Sequence, residues 1–309
     1  MGPLSRCLSI LAYHRIVAEP DPLFPDEASA KEFDWHLAVL GRWFTVLPLR
    51  EAAARLRDGT LPVRSACLTF DDGYADNVTV ALPILQRHGV PATFFVATGF
   101  IDGGRMWNDS VIETVRGARG GTLDARCIGL DEQDISTIGL RRQAIERLLT
   151  ALKYLPPEER QRRVDRLAAE ASSSLPSDLM MTAVQVRHLC ASGMEIGAHT
   201  VTHPILAQLG PERAEREIRD SKRRLEALTG RPVTVFAYPN GKPGRDYRRE
   251  HVGMVKELGF EAAVSAAWGV AHAASDSHQL PRFTPWDRTP GKFALRLLHN
   301  TFRTRAERV

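Results

Sequence analysis

The stretch Ser65-Ala66-Cys67-Leu68-Thr69-Phe70, followed by Val78 to His88 and Ala92-Thr93-Phe94-Phe95-Val96-Ala97, most constrains the fold. The first run is short, apolar and β-branched, bounded by Pro62 and Gly73, so it predicts a buried strand. The second predicts a helix ended by Gly89, with a kink or late start at Pro83, where proline in a helix interior costs about 3 kcal/mol. The third predicts another strand. Strand, helix and strand in this order make a βαβ unit, which requires a parallel sheet. The first strand runs straight into Asp71-Asp72-Gly73. Side chains at the carboxyl end of such a strand face the crevice where α/β folds bind ligands. Two carboxylates there repel unless a cation or a proton sits between them, and Gly73 lets the chain turn at once.

The alternation continues on both sides. Leu8 to His14 reads as a first strand that delivers His14 to its end. Val17 to Glu27 reads as a loop, Ala30 to Arg42 and Leu49 to Arg57 as helices, and Phe44 to Leu47 as a short strand. Further strands are expected at Met194–Ala198, Thr234–Tyr238, Ala262–Ser265 and near Leu280–Phe283, separated by helices at Met181–Ala191, Pro211–Leu228 and Val252–Leu258. Residues 110–178 are arginine-rich with a helical pattern and read as a helical insertion within one domain spanning 1–309. Residues 291–309 read as an amphipathic C-terminal helix, either docked or lying on a membrane surface.

At 309 residues the chain suits one large α/β domain or two small ones. With 43% hydrophobic and 25% charged residues, disorder is excluded as a class. Lys and Arg total 41 against 37 Asp and Glu, and no basic groove interleaved with aromatics is present, so no nucleic-acid partner is expected. Cys7, Cys67, Cys127 and Cys190 form no C-x-x-C pair and read as reduced thiols. The opening residues lack a signal-peptide pattern, and no run approaches the roughly 18 apolar residues of a membrane span. The expected location is cytoplasmic, with possible peripheral membrane contact. No feature sets an oligomeric state.

A second motif, His199-Thr200-Val201-Thr202-His203, follows another strand end. Two histidines four apart can face one ion. Pro204 disfavours helical geometry at His203, so the intervening turn is expected to be irregular. Two imidazoles and one carboxylate are a common zinc set that leaves a position open.

Thr69-Phe70-Asp71-Asp72-Gly73 together with His199-Thr200-Val201-Thr202-His203 resembles the polysaccharide deacetylase family of carbohydrate esterases. The likeness runs from Tyr13-His14-Arg15 to Leu280-Pro281-Arg282 and is weak in residues 110–178 and in the tail. It implies a distorted (β/α) barrel of about seven parallel strands. It also implies removal of N-acetyl groups from an aminosugar polysaccharide or saccharide intermediate, in exopolysaccharide or cell-envelope biosynthesis. The cofactor would be Zn2+ or another divalent metal, held by Asp72, His199 and His203. Asp71 would be the general base. A backbone N–H near Tyr238, Pro239 and Asn240 would meet the oxyanion. The acid histidine of a Leu-x-x-His pattern has two matches, ending at His14 and near His299, and His14 is favoured because a strand end opens on the site.

The sequence departs from the family in having no arginine in Phe236-Ala237-Tyr238-Pro239-Asn240-Gly241. Arg282 is a candidate to brace Asp71 instead. Trp107, Trp268 and Trp286 are candidates for a sugar groove. The rival functions are hydrolysis of a non-sugar amide and saccharide binding without turnover.

Overall fold

The computed structural model describes residues 6–300 and 306–309. Seven parallel strands form a nearly closed barrel: β1 (Leu8–Tyr13), β2 (Ser65–Phe70), β3 (Thr93–Val96), β4 (Glu195–Ala198), β5 (Val235–Ala237), β6 (Ala262–Trp268) and β7 (Leu280–Arg282). Each pairs with the next in chain order. The ring comes together where Ala12 donates to the Phe283 carbonyl and Phe283 donates to that of Ile10. The distortion has a local cause. A two-residue strand, Thr45–Val46, pairs with Ser65 and Ala66, while β3 pairs with β2 only at Thr69 and Phe70. The short strand thus occupies the lower half of the β2 edge and splays the barrel there.

Side chains alternate across each strand, and this parity builds two apolar layers. Leu8, Ile10, Cys67, Phe95, Val235, Val264 and Leu280 fill the interior with Leu49, Ala52, Ala53 and Leu56 of helix α2, which is preceded by helix α1 (Ala30–Trp43) and spans Leu49–Arg57. The opposite parity, Leu11, Ala66, Leu68, Phe70, Phe94 and Phe236, packs outward against the helices. α2 plugs the lower end. The Glu195 carboxylate accepts from the Leu49 and Arg50 amides and from Thr93 Oγ1, which satisfies orphan donors at the start of α2.

Pro83 lies in the first turn of helix α3 (Leu82–His88), where its missing N–H costs nothing. A π-helical turn at Asn77–Ala81 precedes it, so the expected single helix from Val78 starts late. The insertion begins at Trp107, earlier than expected, with helix α4 (Trp107–Gly117). A small antiparallel pair (Thr122–Leu123 with Gln133–Asp134), helix α5 (Ile138–Leu152) and helix α6 (Pro157–Glu170) follow. Their apolar faces make a cluster of their own, including Val111, Val115, Leu148, Leu152, Val164 and Leu167. The remaining helices are α7 (Ala183–Ala191), α8 (Pro211–Thr229), α9 (Arg249–Glu257) and α10 (Pro290–Asn300). The expected tail helix over 291–309 is therefore shorter. Residues 301–305 lie outside the described residues, and 306–309 have no regular structure. Among the described residues, no helix is long and apolar enough to cross a membrane.

Gly197 sits inside the barrel, where a Cβ would come within 2.4 Å of the Phe95 ring. Gly197→Ala is expected to lower unfolding stability by about 2 kcal/mol, within the range for overpacking a rigid core. Urea denaturation measures it.

Candidate active site

Strand parity carries Asp71 and Arg282 into the barrel mouth from strands on either side of β1. Cys67 and Thr69 face inward on β2, so Asp71, one step past its end, faces inward as well; Leu280 does the same for Arg282. The two side chains meet in a bidentate pair, Nη1 to Oδ1 and Nη2 to Oδ2, both 2.7 Å. Arg282 also donates to Thr69 Oγ1 at 3.1 Å and, through Nε, to the Ser265 carbonyl at 3.1 Å. Burial pushes the Asp71 carboxyl up, but the guanidinium outweighs it, and the net shift is below the usual carboxylate range.

Asp72 adopts a left-handed backbone, φ 75°, which turns its side chain away from that of Asp71. The turn is fixed by hydrogen bonds from Ala97 N–H to the Asp72 carbonyl and from Met181 N–H to that of Gly73. Gly73, at φ 91°, has no room for a side chain, since a Cβ would lie 3.0 Å from Val96 Cγ1.

His199 leaves β4 on the inward parity. Its Nδ1 lies 2.7 Å from the Ala237 carbonyl, which can only accept, so Nδ1 carries the proton and Nε2 keeps its lone pair. His203 reaches the same point through an irregular turn, with Thr200 at φ 65° and His203 at φ 52°. Both Nε2 atoms lie 3.4 Å from Asp72 Oδ1. That oxygen is buried without a hydrogen-bond partner, and one ligand atom from each residue falls within 4.8 Å of the others. Two neutral nitrogens and one carboxylate oxygen converging on an unsatisfied buried atom fit a divalent cation. Burial pulls the His203 imidazole down to about 4, which keeps it neutral. Burial also pulls on His199, but the Asp72 and Asp71 carboxylates outweigh it and raise its pKa. A proton and a cation therefore compete at His199 Nε2.

The histidine turn is held by residues that sequence reasoning missed. Glu217 of α8 accepts from the Val201 and Thr202 amides at 2.9 and 2.8 Å and from Thr202 Oγ1 at 2.7 Å. Thr98 and Gly99 donate their amides to the Thr200 and Val201 carbonyls. Glu217 stands fourteen positions past His203 in a charged helix, and nothing in the sequence separates it from its neighbours.

These groups open on a cavity of about 540 Å³ lined by His14, Asp71, Asp72, His199, His203 and Arg282, together with Asn240, Trp268 and, from the insertion, Trp107, Asp109 and Lys153. His14 is exposed to it at the end of β1, and its carbonyl accepts from Asn77 Nδ2. His299 is exposed on α10 and does not line it. Asp109 accepts from Tyr74 Oη at 3.0 Å, and burial pushes its carboxyl up to about 7. Trp107 forms part of the wall beneath the Arg160 guanidinium. Trp286 packs 4.6 Å from Trp268 and stays outside the cavity.

Of the expected stretch Tyr238, Pro239 and Asn240, the first and last line the cavity. The Tyr238 ring is buried in a stack on Tyr247, its hydroxyl donates to the His278 carbonyl, and its amide donates to Val264. Pro239 has no N–H and does not line the cavity. Asn240 alone offers an amide there, at φ 58°.

A sequence model of the family described as polysaccharide deacetylase matches residues 58–122 and 161–263, skipping most of the insertion. The Bacillus subtilis (strain 168) protein YxkH, which carries a provisional polysaccharide deacetylase name, is 23% identical over 277 residues, 89% of this chain and 70% of its own length. Among solved structures, Streptococcus pyogenes deacetylase PplD in complex with acetate superposes with a TM-score of 0.65 at 22% identity, covering 96% of this chain and 99% of PplD. IcaB from Ammonifex degensii gives 0.61 at 18% identity, covering 96% and 97%. At these identities the two structures show a shared fold.

Glu217→Ala is expected to weaken zinc binding about tenfold or more, the usual effect of removing a group that orients metal ligands. Competition with a chromogenic chelator reads it. Because His199 must lose its proton to ligate, zinc affinity is also expected to fall as pH drops.

Proposed function

The chain belongs to the polysaccharide deacetylase family, and on that premise we propose that it hydrolyses N-acetyl groups on an aminosugar saccharide in a metal-dependent reaction. The observation that carries this reading is the convergence of a buried, arginine-braced carboxylate and an Asp-His-His triad on one cavity. Asp72, His199 and His203 would hold the ion, and a divalent cation there supplies Lewis-acid polarisation of a carbonyl and an acidified water.

The two aspartates have separate work. Asp71, ionised and fixed by Arg282, takes a proton from the attacking water as its oxygen adds to the acetyl carbon. The Asn240 amide donates to the carbonyl oxygen as it becomes negative. His14 gives a proton to the departing nitrogen as the C–N bond breaks, leaving acetate and a free amine. Trp107 offers an aromatic face to a pyranose ring. The acetate held by PplD is the product such a reaction would release. The family's polymeric substrates support a place in exopolysaccharide or cell-envelope synthesis.

Acetate release from N-acetylated oligosaccharides, with protein stripped of metal and reloaded with zinc, tests the reading. Activity is expected to return with zinc, to fall by about 10²–10⁴ in Asp71→Asn and in His14→Ala, and to persist in His299→Ala. Metal binding with no acetate from any sugar would point to another amide. The arginine brace predicts a pH effect of known sign. Asp71 acts only when ionised, and Arg282 holds its pKa down. In Arg282→Met the largest opposition to burial is lost and only His199 and His14 still hold the pKa down, so the acid limb of the rate profile moves to higher pH. An unmoved limb, with the variant still folded by its melting curve, would remove Asp71 as the base.

A further inference from the structure

Lys153, at the end of the insertion helix α5, lines the same cavity as Asp71 and His14. Among the described residues it has no carboxylate within ion-pair distance, while the other cations lining the cavity do. Arg282 is paired with Asp71 and Arg15 with Asp76. The carboxylates of that wall are also accounted for. Asp21 and Glu113 share Arg116, and for Glu27 and Asp109, which form no ion pair among the described residues, burial outweighs the pull of Arg15 and pushes them toward neutrality.

Lys153 is not alone. Its Nζ lies 5.8 Å from the centre of the Tyr154 ring, and the Arg245 guanidinium lies 4.6 Å from the same ring. Burial comes first in lowering the Lys153 pKa, with Lys242 and Arg245 adding to it, so both face it. Asp246 is the one carboxylate facing Lys153, and it forms no ion pair with these cations; one of its oxygens accepts the Lys242 amide. Of these cations Lys153 alone lines the cavity, so α5 brings to its wall one ammonium that no carboxylate there pairs, with Arg245 behind it on the same Tyr154 ring.

We infer that Lys153, with Arg245 beside it on the Tyr154 ring, forms a subsite for an anionic substituent of the saccharide, a phosphate or a carboxylate carried beyond the acetylated sugar. The inference rests on the deacetylase reading for the identity of the neutral part of the ligand. It assigns the insertion a role in specificity, since α5 brings Lys153 to the cavity and the family sequence model does not cover that helix. An ammonium in a half-buried site strengthens a charge-assisted contact, and the added cation discourages a neutral ligand from replacing the anion.

The test compares binding of N-acetylglucosamine, its 1-phosphate and its 6-phosphate to the zinc-loaded protein by calorimetry, in wild type, Lys153→Met and Lys153→Arg. Phosphate also ligates metals, so the readout is the change in the phosphate-to-neutral affinity ratio between variants. That ratio is expected to fall about tenfold in Lys153→Met and to recover in Lys153→Arg. An unchanged ratio, or a wild type that binds all three sugars alike, overturns the subsite. Inorganic phosphate that binds as tightly as the sugar phosphates, with the same loss in Lys153→Met, also overturns it, because the anion would then not be read as part of a saccharide. Acetate release from a neutral chitooligosaccharide by wild type is measured alongside. Its failure would count against the deacetylase reading, while the binding ratio would still decide the subsite.

Discussion

The bidentate pair between Arg282 and Asp71 ties the chemistry of this protein to its barrel. A buried ion pair is weak evidence for stability, because desolvating two charges offsets much of their attraction. What the pair secures is position. Arg282 makes contacts to the carboxylate, to Thr69 and to the Ser265 carbonyl, and these groups come from β2, β6 and the strand end after β2. The guanidinium can occupy that place only while the strands keep their register. The pair therefore depends on the barrel being brought together between β1 and β7, and it holds a carboxylate ionised in a place where burial alone would neutralise it.

The metal-type ligands obey a second constraint. Asp72, Thr200 and His203 all adopt left-handed backbone, a conformation that disfavours side chains. Such strain persists only where the surroundings over-determine it. Here the Glu217 carboxylate, the Ala97 amide and the Thr98–Gly99 amides supply those constraints. Gly99 is tied to this: a Cβ there would lie 2.6 Å from the Val201 carbonyl. The turn and the strand beside it thus have to be built together, and the ligand geometry is a property of both.

Much of this was legible in the sequence because it rests on periodicity and on short motifs. Short apolar runs bounded by turn residues placed Asp71 and His199 at strand ends, and Pro204 announced an irregular turn at His203. The bracing role of Arg282 could be suspected from its strand-end position, but its contact required the barrel to come together. Other features were not local. Glu217 acts across a helix–loop contact that leaves no mark on its own surroundings. Tyr238 does line the cavity, yet its ring stacks on Tyr247 and its amide is taken by the Val264 carbonyl, and neither contact leaves a mark on its sequence neighbours. Pro83 announced a kink or a late start, and the late start is what the chain adopts, while the π-helical turn before it has no sequence signal of its own.

The insertion packs through an apolar cluster of its own and brings Trp107, Asp109 and Lys153 to the cavity. The barrel strands supply charged groups that are paired across the ring, and such groups serve the same bond whatever the rest of the substrate. α4 packs on both α5 and α6 through an apolar cluster of their own, so their cavity-facing residues can vary without disturbing the barrel core. Trp107 and Asp109 stand at the start of α4, and Lys153 caps the end of α5. Helix ends tolerate changes of side chain better than barrel interiors do, because their neighbours are fewer and their backbone is already partly solvated. On the reading proposed above, chemistry held by the barrel and selectivity held by an independently packed wall could therefore change separately.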